Sequence, residues 1–217
     1  MPSELVCPDT ANTVQAAGEK ALALREQGYH CSEAVFLAVN HTFQIADPSL
    51  VRLLTGFHGG GGTRRLVPGT NLTELLNRKA AGSPQGASAD LPLEQVGHPL
   101  EQVGHLCGAL AAGMACLGLL YGRRSPEEDL TCVDELCFEL HRRFTAVFGS
   151  RDCRLIREQY VPHTSGKSCE TVYREAAELI TQLILEAHEL VPECPPQRLP
   201  ALTNLESACG SGFSGAG

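Results

Sequence analysis

Four cysteines each follow a glycine by three or four residues, and each stands at the start of a segment with helical spacing of apolar residues: Cys31, Cys107, Cys153 and Cys169. A helix N-terminus presents unpaired amide donors and a partial positive charge, which lower the pKa of a thiol and stabilise its thiolate. Thiolates bind metal ions and attack disulfides. If the four helix starts converge in space, we expect them to form one sulfur site.

The spacing of apolar residues predicts helices almost throughout the chain, at about residues 12–27, 31–43, 107–121, 130–147 and 168–190. Segment 107–121 is nearly all apolar residues and glycine, so we expect it to be buried on all sides at the centre of a bundle. Gly108, Gly113 and Gly118 are expected to let neighbouring helices approach it closely. Ser125 and Pro126 are expected to begin the next helix. No segment alternates like a strand, so the predicted fold is an all-α, compact helical bundle.

A length of 217 residues suits a single domain, and we expect residues 1–194 to form one helical redox domain. Within it, residues 58–105 are interpreted as a long insertion or lid containing Gly and Pro. That segment begins near four consecutive glycines and ends with the heptapeptide PLEQVGH written twice, which indicates a local tandem duplication. Residues 195–217 are rich in Gly, Ser and Pro and are expected to form a flexible tail.

Charge and composition narrow the classes of partner and the compartment. A formal net charge of -8 with a pI near 5.5 disfavours nucleic-acid binding. No apolar run reaches the roughly 18 residues of a membrane span, and the N-terminus lacks the features of a signal peptide, so a cytoplasmic location is expected. In a reducing cytosol the ten cysteines are expected to be thiols, metal ligands or redox groups rather than structural bridges. Six of them are interpreted as buried small hydrophobes (Cys116, Cys132, Cys137) or incidental thiols (Cys7, Cys194, Cys209).

Several short motifs occur in a characteristic order: GYHCSEAV at 28–35, GFHGGGG at 56–62, CGALAAG at 107–113, LGLLYG at 117–122, and FGSRDCRLI at 148–156 followed by Cys169. In this order they resemble the redox-active family named for its pattern C_GCAxxG_C_C. The same domain type resembles the cluster-bearing part of the split-Soret cytochromes. The resemblance implies a helical fold, iron–sulfur binding, electron transfer and a homodimer. Carried over by motif, the family's cysteines fall on Cys31, Cys107, Cys153 and Cys169.

The leading hypothesis is that these four cysteines ligate an iron–sulfur cluster of the [2Fe–2S] type, which exchanges single electrons with a redox protein partner. Backbone amides at Gly59, Gly60, Gly61 and Gly108 are expected to lie close to this cofactor, because glycine lacks a Cβ.

Two alternatives stay open. In a metal-free thiol–disulfide oxidoreductase, Cys107 or Cys31 would attack a disulfide and another of the four would resolve it. In a structural module, the same cysteines would bind zinc. His58, His98 and His105 would also allow a mixed Cys and His site, although a surface position is expected for each. No catalytic pair or cofactor fingerprint identifies a substrate, so the sequence alone does not identify an enzyme.

Overall fold

The computed structural model describes residues 8–65, 100–102, 104–164, 168–194 and 196. Its main helices have 13 or more residues each: α1 (Pro8–Glu26), α2 (Cys31–Phe43), α4 (Gly108–Tyr121), α5 (Thr131–Phe148) and α8 (Glu170–Leu190). Shorter helical pieces connect them: a 3₁₀ turn (Pro48–Leu50), α3 (Val51–Leu54), a second 3₁₀ segment (Thr55–Gly60), α6 (Cys153–Leu155), a π-helical segment (Ile156–Tyr160) and α7 (Val161–Thr164). The predicted all-α fold is confirmed.

Two three-residue strands lie at the foot of the insertion, where no strand was predicted. β1 (Thr63–Arg65) pairs antiparallel with β2 (Leu100–Gln102), with Thr63 opposite Gln102. The ladder joins the points where the inserted chain leaves and rejoins the helical body. A pairing of three residues is too short to produce a recognisable alternation in sequence.

Helix α4 packs against α2, α5 and α8, which places it at the centre of the bundle as predicted. Its buried residues include Leu110, Leu117 and Leu120, all fully inaccessible to solvent. A Cβ added at Gly113 would lie 2.8 Å from the Leu140 side chain and 2.9 Å from Ile180, so the missing side chain lets α5 and α8 approach closely.

One edge of α4 is exposed, which corrects the expectation of burial on all sides. Leu119 is 39% exposed, and a Cβ at Gly118 would meet nothing within 4 Å. No neighbouring helix therefore approaches Gly118 closely. This edge, with Leu53 and Phe57, lines an apolar groove of about 370 Å³.

Helices α5 and α8 run antiparallel and are joined by an ion pair. Arg143 of α5 forms ion pairs with Glu139 of its own helix and with Glu186 of α8. The start of α5 differs from the prediction: the helix begins at Thr131, and Ser125 instead accepts a turn hydrogen bond from the Glu128 amide. Pro126 therefore belongs to the preceding connection rather than to the first helical turn.

A disulfide joins Cys132 to Cys194, so the interpretations of Cys132 as a buried small hydrophobe and of Cys194 as an incidental thiol were wrong. Their Cα atoms lie 5.6 Å apart, although the residues are separated by 62 positions in sequence. The antiparallel packing of α5 and α8 brings them together, which no local spacing could indicate. Cys116 is fully buried, as expected for a small hydrophobe. Cys7 and Cys209 lie outside the described residues.

Within the described part of the chain, no helix combines the length and apolarity needed to cross a membrane. Most of the predicted insertion, at 66–99, and nearly all of the predicted tail lie outside the described residues.

Candidate functional site

Each of the four predicted cysteines stands at a helix start, as expected. Cys31 and Cys153 are the first residues of α2 and α6, and Cys107 and Cys169 are the N-cap residues of α4 and α8. The local sequence explains one of these starts directly: the Asp152 carboxylate accepts hydrogen bonds from the amides of Arg154 and Leu155 and so caps α6. We call these cysteines together the four-cysteine site.

A short backbone bridge holds Cys107 beside Cys153. Leu106 and Asp152 form an isolated antiparallel bridge. The Cys107 amide donates to the Arg151 carbonyl at 2.9 Å, and the Cys153 amide donates to the His105 carbonyl at 2.6 Å. Two cysteines that lie 46 positions apart in the chain are thereby fixed as neighbours by main-chain hydrogen bonds.

Gly108 lets Cys31 approach this pair. A Cβ at Gly108 would lie 2.7 Å from the Cys31 sulfur and 2.7 Å from the Phe57 carbonyl oxygen. Only a residue without a side chain fits between these atoms. Gly108 was predicted to permit the close approach of a neighbour, and that neighbour is the Cys31 sulfur.

The consecutive glycines have two separate contacts. The Gly59 amide donates a hydrogen bond to the Cys31 sulfur. Gly60 and Gly61 instead contact Gly104, where a Cβ would lie 2.0 Å and 1.5 Å from their carbonyl oxygens. Gly59, Gly60 and Gly61 all have positive φ, which glycine adopts without strain. The glycine segment thus supplies one amide to the thiols and anchors the chain that leads into Cys107.

Electrostatic interactions connect all four cysteines. Cys107 interacts with Cys31 and Cys153, and Cys169 interacts with the same two residues. The structure therefore places the predicted cysteines in one region of the molecule. Cys107 and Cys153 are buried, whereas Cys31 and Cys169 are partly exposed and mark the side of the site that faces solvent.

Burial reverses the pKa shift that the helix starts were expected to produce. Burial raises the pKa of Cys107 well above its usual value, although the nearby amides of Ala109 and Leu110 act in the opposite direction. Burial raises the pKa of Cys31 also, and it raises that of Cys169 to about 11. In the absence of a bound cation, these thiols are therefore protonated at neutral pH.

Two arginines act on the solvent-facing side. Arg157 and Arg25 each lower the pKa of Cys169, but burial and the neighbouring Cys31 and Cys153 together outweigh them. Arg25 lies in the last turn of α1, and Arg157 lies in the π-helical segment. Their positive charges would favour a thiolate or an anionic group next to Cys169.

Tyr173 is a site residue that the sequence interpretation missed. It lies one helical turn after Cys169, its amide donates to the Cys169 carbonyl at 3.0 Å, and its side chain is 5% exposed. The tyrosine interacts electrostatically with Cys31, Cys169 and Cys107, and burial raises the pKa of its hydroxyl. The signal in sequence was the four-residue spacing from Cys169, which places both residues on one helix face.

The histidines have other partners. His105 is exposed, and its Nδ1 lies 2.7 Å from the Asp152 carboxylate, which agrees with the expected surface position. The His58 ring stacks on His30, with ring centroids 4.6 Å apart. His98 lies outside the described residues.

The chemistry of the donor set fits a thiolate-bound metal or cluster, because four cysteines and several amide donors lie together. Over residues 8–65, 100–102, 104–164 and 168–194, however, no group of three or more Cys, His, Asp or Glu side chains is already arranged as a coordination shell. Their role as ligands stays a prediction.

Sequence comparison shows which family part of the chain is similar to. Residues 87–183 match the family described as "Putative redox-active protein (C_GCAxxG_C_C)". The match confirms the family resemblance seen in the motifs, and it includes Cys107, Cys153 and Cys169, whereas Cys31 and the consecutive glycines precede it. Neither a curated protein nor a solved structure matches the chain significantly. The family description indicates redox activity and names no cofactor.

Proposed function

We propose that Cys31, Cys107, Cys153 and Cys169 bind an iron–sulfur cluster of the [2Fe–2S] type, and that the protein transfers single electrons. The observation that carries this proposal is the meeting of four cysteines from four separate helix starts in one region. Thiolates are the usual protein ligands of such clusters. When bound, the cluster would supply a one-electron redox couple.

The surroundings of the thiols suit an anionic sulfur centre. The backbone amides of Gly59, Ala109 and Leu110 lie near cysteine sulfurs and act to lower the pKa of Cys31 and Cys107. Hydrogen bonds to cluster sulfurs raise the reduction potential. Arg25 and Arg157 offset negative charge on the side of Cys169. The chain's own contribution is thus to exclude water, hold the ligands and set the potential.

The raised pKa values favour this proposal over a metal-free thiol oxidoreductase. A thiol whose pKa is about 11, as for Cys169, has little thiolate at neutral pH and is a poor nucleophile. Metal binding stabilises the thiolate and releases the proton, so the same burial is compatible with a ligand role. Zinc binding by the same four cysteines is the remaining alternative, since zinc also accepts four thiolates.

The test is to purify the full chain without air and to measure iron, zinc and acid-labile sulfide together with the absorption spectrum. A cluster gives charge-transfer bands between about 300 and 600 nm, whereas d¹⁰ zinc gives none. Cys107→Ser is expected to lose most of the iron and sulfide. The matched control is Cys137→Ser, a partly buried free cysteine on α5.

The proposal predicts iron and sulfide in the wild type and in Cys137→Ser. Colourless protein that contains stoichiometric zinc would contradict it in favour of the structural alternative. Equal iron content in Cys107→Ser and the wild type would remove Cys107 from the ligand set.

A further inference from the structure

The Cys132–Cys194 disulfide lies at the opposite end of the α5–α8 pair from the four-cysteine site. Cys132 is the second residue of α5, and Cys194 follows the end of α8, whose N-cap is Cys169. Helix α8 has 21 residues, which corresponds to a length of about 30 Å. The disulfide is therefore out of reach of direct thiol exchange with the four-cysteine site.

Both sulfur-bearing residues are partly exposed, unlike the buried Cys107 and Cys153. Thiol–disulfide exchange requires access to a sulfur atom and a stable leaving thiolate. The partial exposure of Cys132 and Cys194 satisfies the first condition better than the burial of Cys107 and Cys153 does.

The ends of the two helices make Cys132 the better leaving group. Cys132 lies in the first turn of an 18-residue helix, where free amides and the helix dipole stabilise a thiolate. Asp129 and Asp134 are nearby in sequence and oppose this effect. Cys194 lies beyond the C-terminal end of α8 and beside Glu193, where both the dipole and the neighbouring charge disfavour a thiolate.

We propose that Cys132–Cys194 is a reversible redox site that exchanges with an external dithiol and controls the attachment of residues 191–194, which follow α8, to the start of α5. One thiolate of the dithiol attacks the Cys194 sulfur, the S–S bond breaks, and Cys132 leaves as a thiolate that takes up a proton. The second thiol of the reductant then attacks the mixed disulfide and frees Cys194 as a thiol. The dithiol is oxidised by two electrons, and the protein disulfide is reduced by two.

Opening the disulfide does not disturb the other contacts between the two helices. Leu136, Leu140 and Phe144 remain buried on α5, and the Arg143–Glu186 ion pair joins the helices independently of the sulfurs. The local change is confined to the turn in which the Cys194 amide donates to the Val191 carbonyl at 2.9 Å. This site is independent of the proposed cluster, and its test does not require metal.

The experiment equilibrates the native full chain in graded ratios of reduced to oxidised dithiothreitol. Each sample is quenched in denaturant with light N-ethylmaleimide, then fully reduced and labelled with heavy N-ethylmaleimide, so that heavy label marks disulfide cysteines. Peptide mass spectrometry is expected to show heavy label on Cys132 and Cys194 in the oxidised samples. The two labels should fall together as reductant rises and should return on reoxidation, while the far-UV circular dichroism is unchanged.

Cys132→Ser should abolish the heavy label on Cys194, and Cys137→Ser should leave the Cys132 and Cys194 labels unchanged. Three results would overturn the proposal: no heavy label on this pair under oxidising conditions, a bond that opens only in denaturant, or loss of helical signal when it opens. Iron or zinc content, measured on native protein set aside before the quench, reports separately on the four-cysteine site.

Discussion

Gly108 offers the sharpest test of how the four-cysteine site is packed. A Cβ there would lie 2.7 Å from both the Cys31 sulfur and the Phe57 carbonyl oxygen, and real Cβ atoms do not occur at such distances. The carbonyl belongs to the backbone, so it cannot move aside as the end of a flexible side chain can. Overpacking of this kind costs about 1–3 kcal/mol. We therefore expect Gly108→Ala to be destabilised and, if the four-cysteine site binds metal as proposed, to retain less of it.

Gly118 in the same helix provides the matched control. Its Cβ would meet nothing within 4 Å, and replacing a helical glycine by alanine stabilises a helix by about 1 kcal/mol. The two alanine variants should therefore differ in free energy of unfolding by about 2–4 kcal/mol, combining the overpacking cost with the helix gain. Urea unfolding followed by far-UV circular dichroism measures this difference, and metal analysis measures the site. Equal stability and equal metal content in the two variants would refute the close packing of Cys31 against Gly108.

Three further predictions concern the charges and hydrogen bonds of the molecule. If the Tyr173 hydroxyl donates to a cluster sulfur, Tyr173→Phe should lower the reduction potential of the loaded protein at unchanged iron content. The control is Tyr121→Phe, which changes a buried tyrosine at the far end of α4 and should leave the potential unchanged. An equal potential in both variants would exclude that hydrogen bond. In metal-free protein the alkylation rate of Cys169 should keep rising above pH 9, because its pKa is about 11. Iodoacetamide kinetics resolved by mass spectrometry measure this rate, and a plateau near pH 9 would contradict the burial of the thiol. Hydrogen bonding to Arg142 lowers the pKa of Glu139 to about 2, so the stability that this carboxylate contributes is present above its usual pKa and is lost as pH falls from about 4.5 towards 2. Acid unfolding of Glu139→Gln should lack that part of the pH dependence, and an unchanged profile would show that the ion pair is too well solvated to matter.

The helical architecture was predictable because the spacing of apolar residues, and the glycines that end helices, depend on local structure alone. Cys31, Cys107, Cys153 and Cys169 were found at helix starts for the same reason. What periodicity could not supply is the degree of burial, since that depends on how helices pack against one another. This is why the thiol pKa values shift upwards rather than downwards.

The sequence also did not reveal which distant segments of the chain pair with each other. The disulfide between Cys132 and Cys194, and the backbone bridge between Leu106 and Asp152, join segments that no short spacing connects. Glycine spacing also gave a mixed result within α4. Gly113 and Gly108 have neighbours that exclude a Cβ, whereas Gly118 faces open space, although the sequence makes the three look alike.

The origin of the four thiols has a consequence for how the protein matures in the cell. They come from α2, α4, α6 and α8, and Cys169 is contributed only by the last of these helices. During synthesis, a nascent chain that has not yet released α8 from the ribosome lacks one sulfur donor, and its remaining donors are not held together by the finished bundle. If the four cysteines bind a metal or cluster as proposed, loading would therefore follow folding. A loaded molecule would then be one whose helical body is complete.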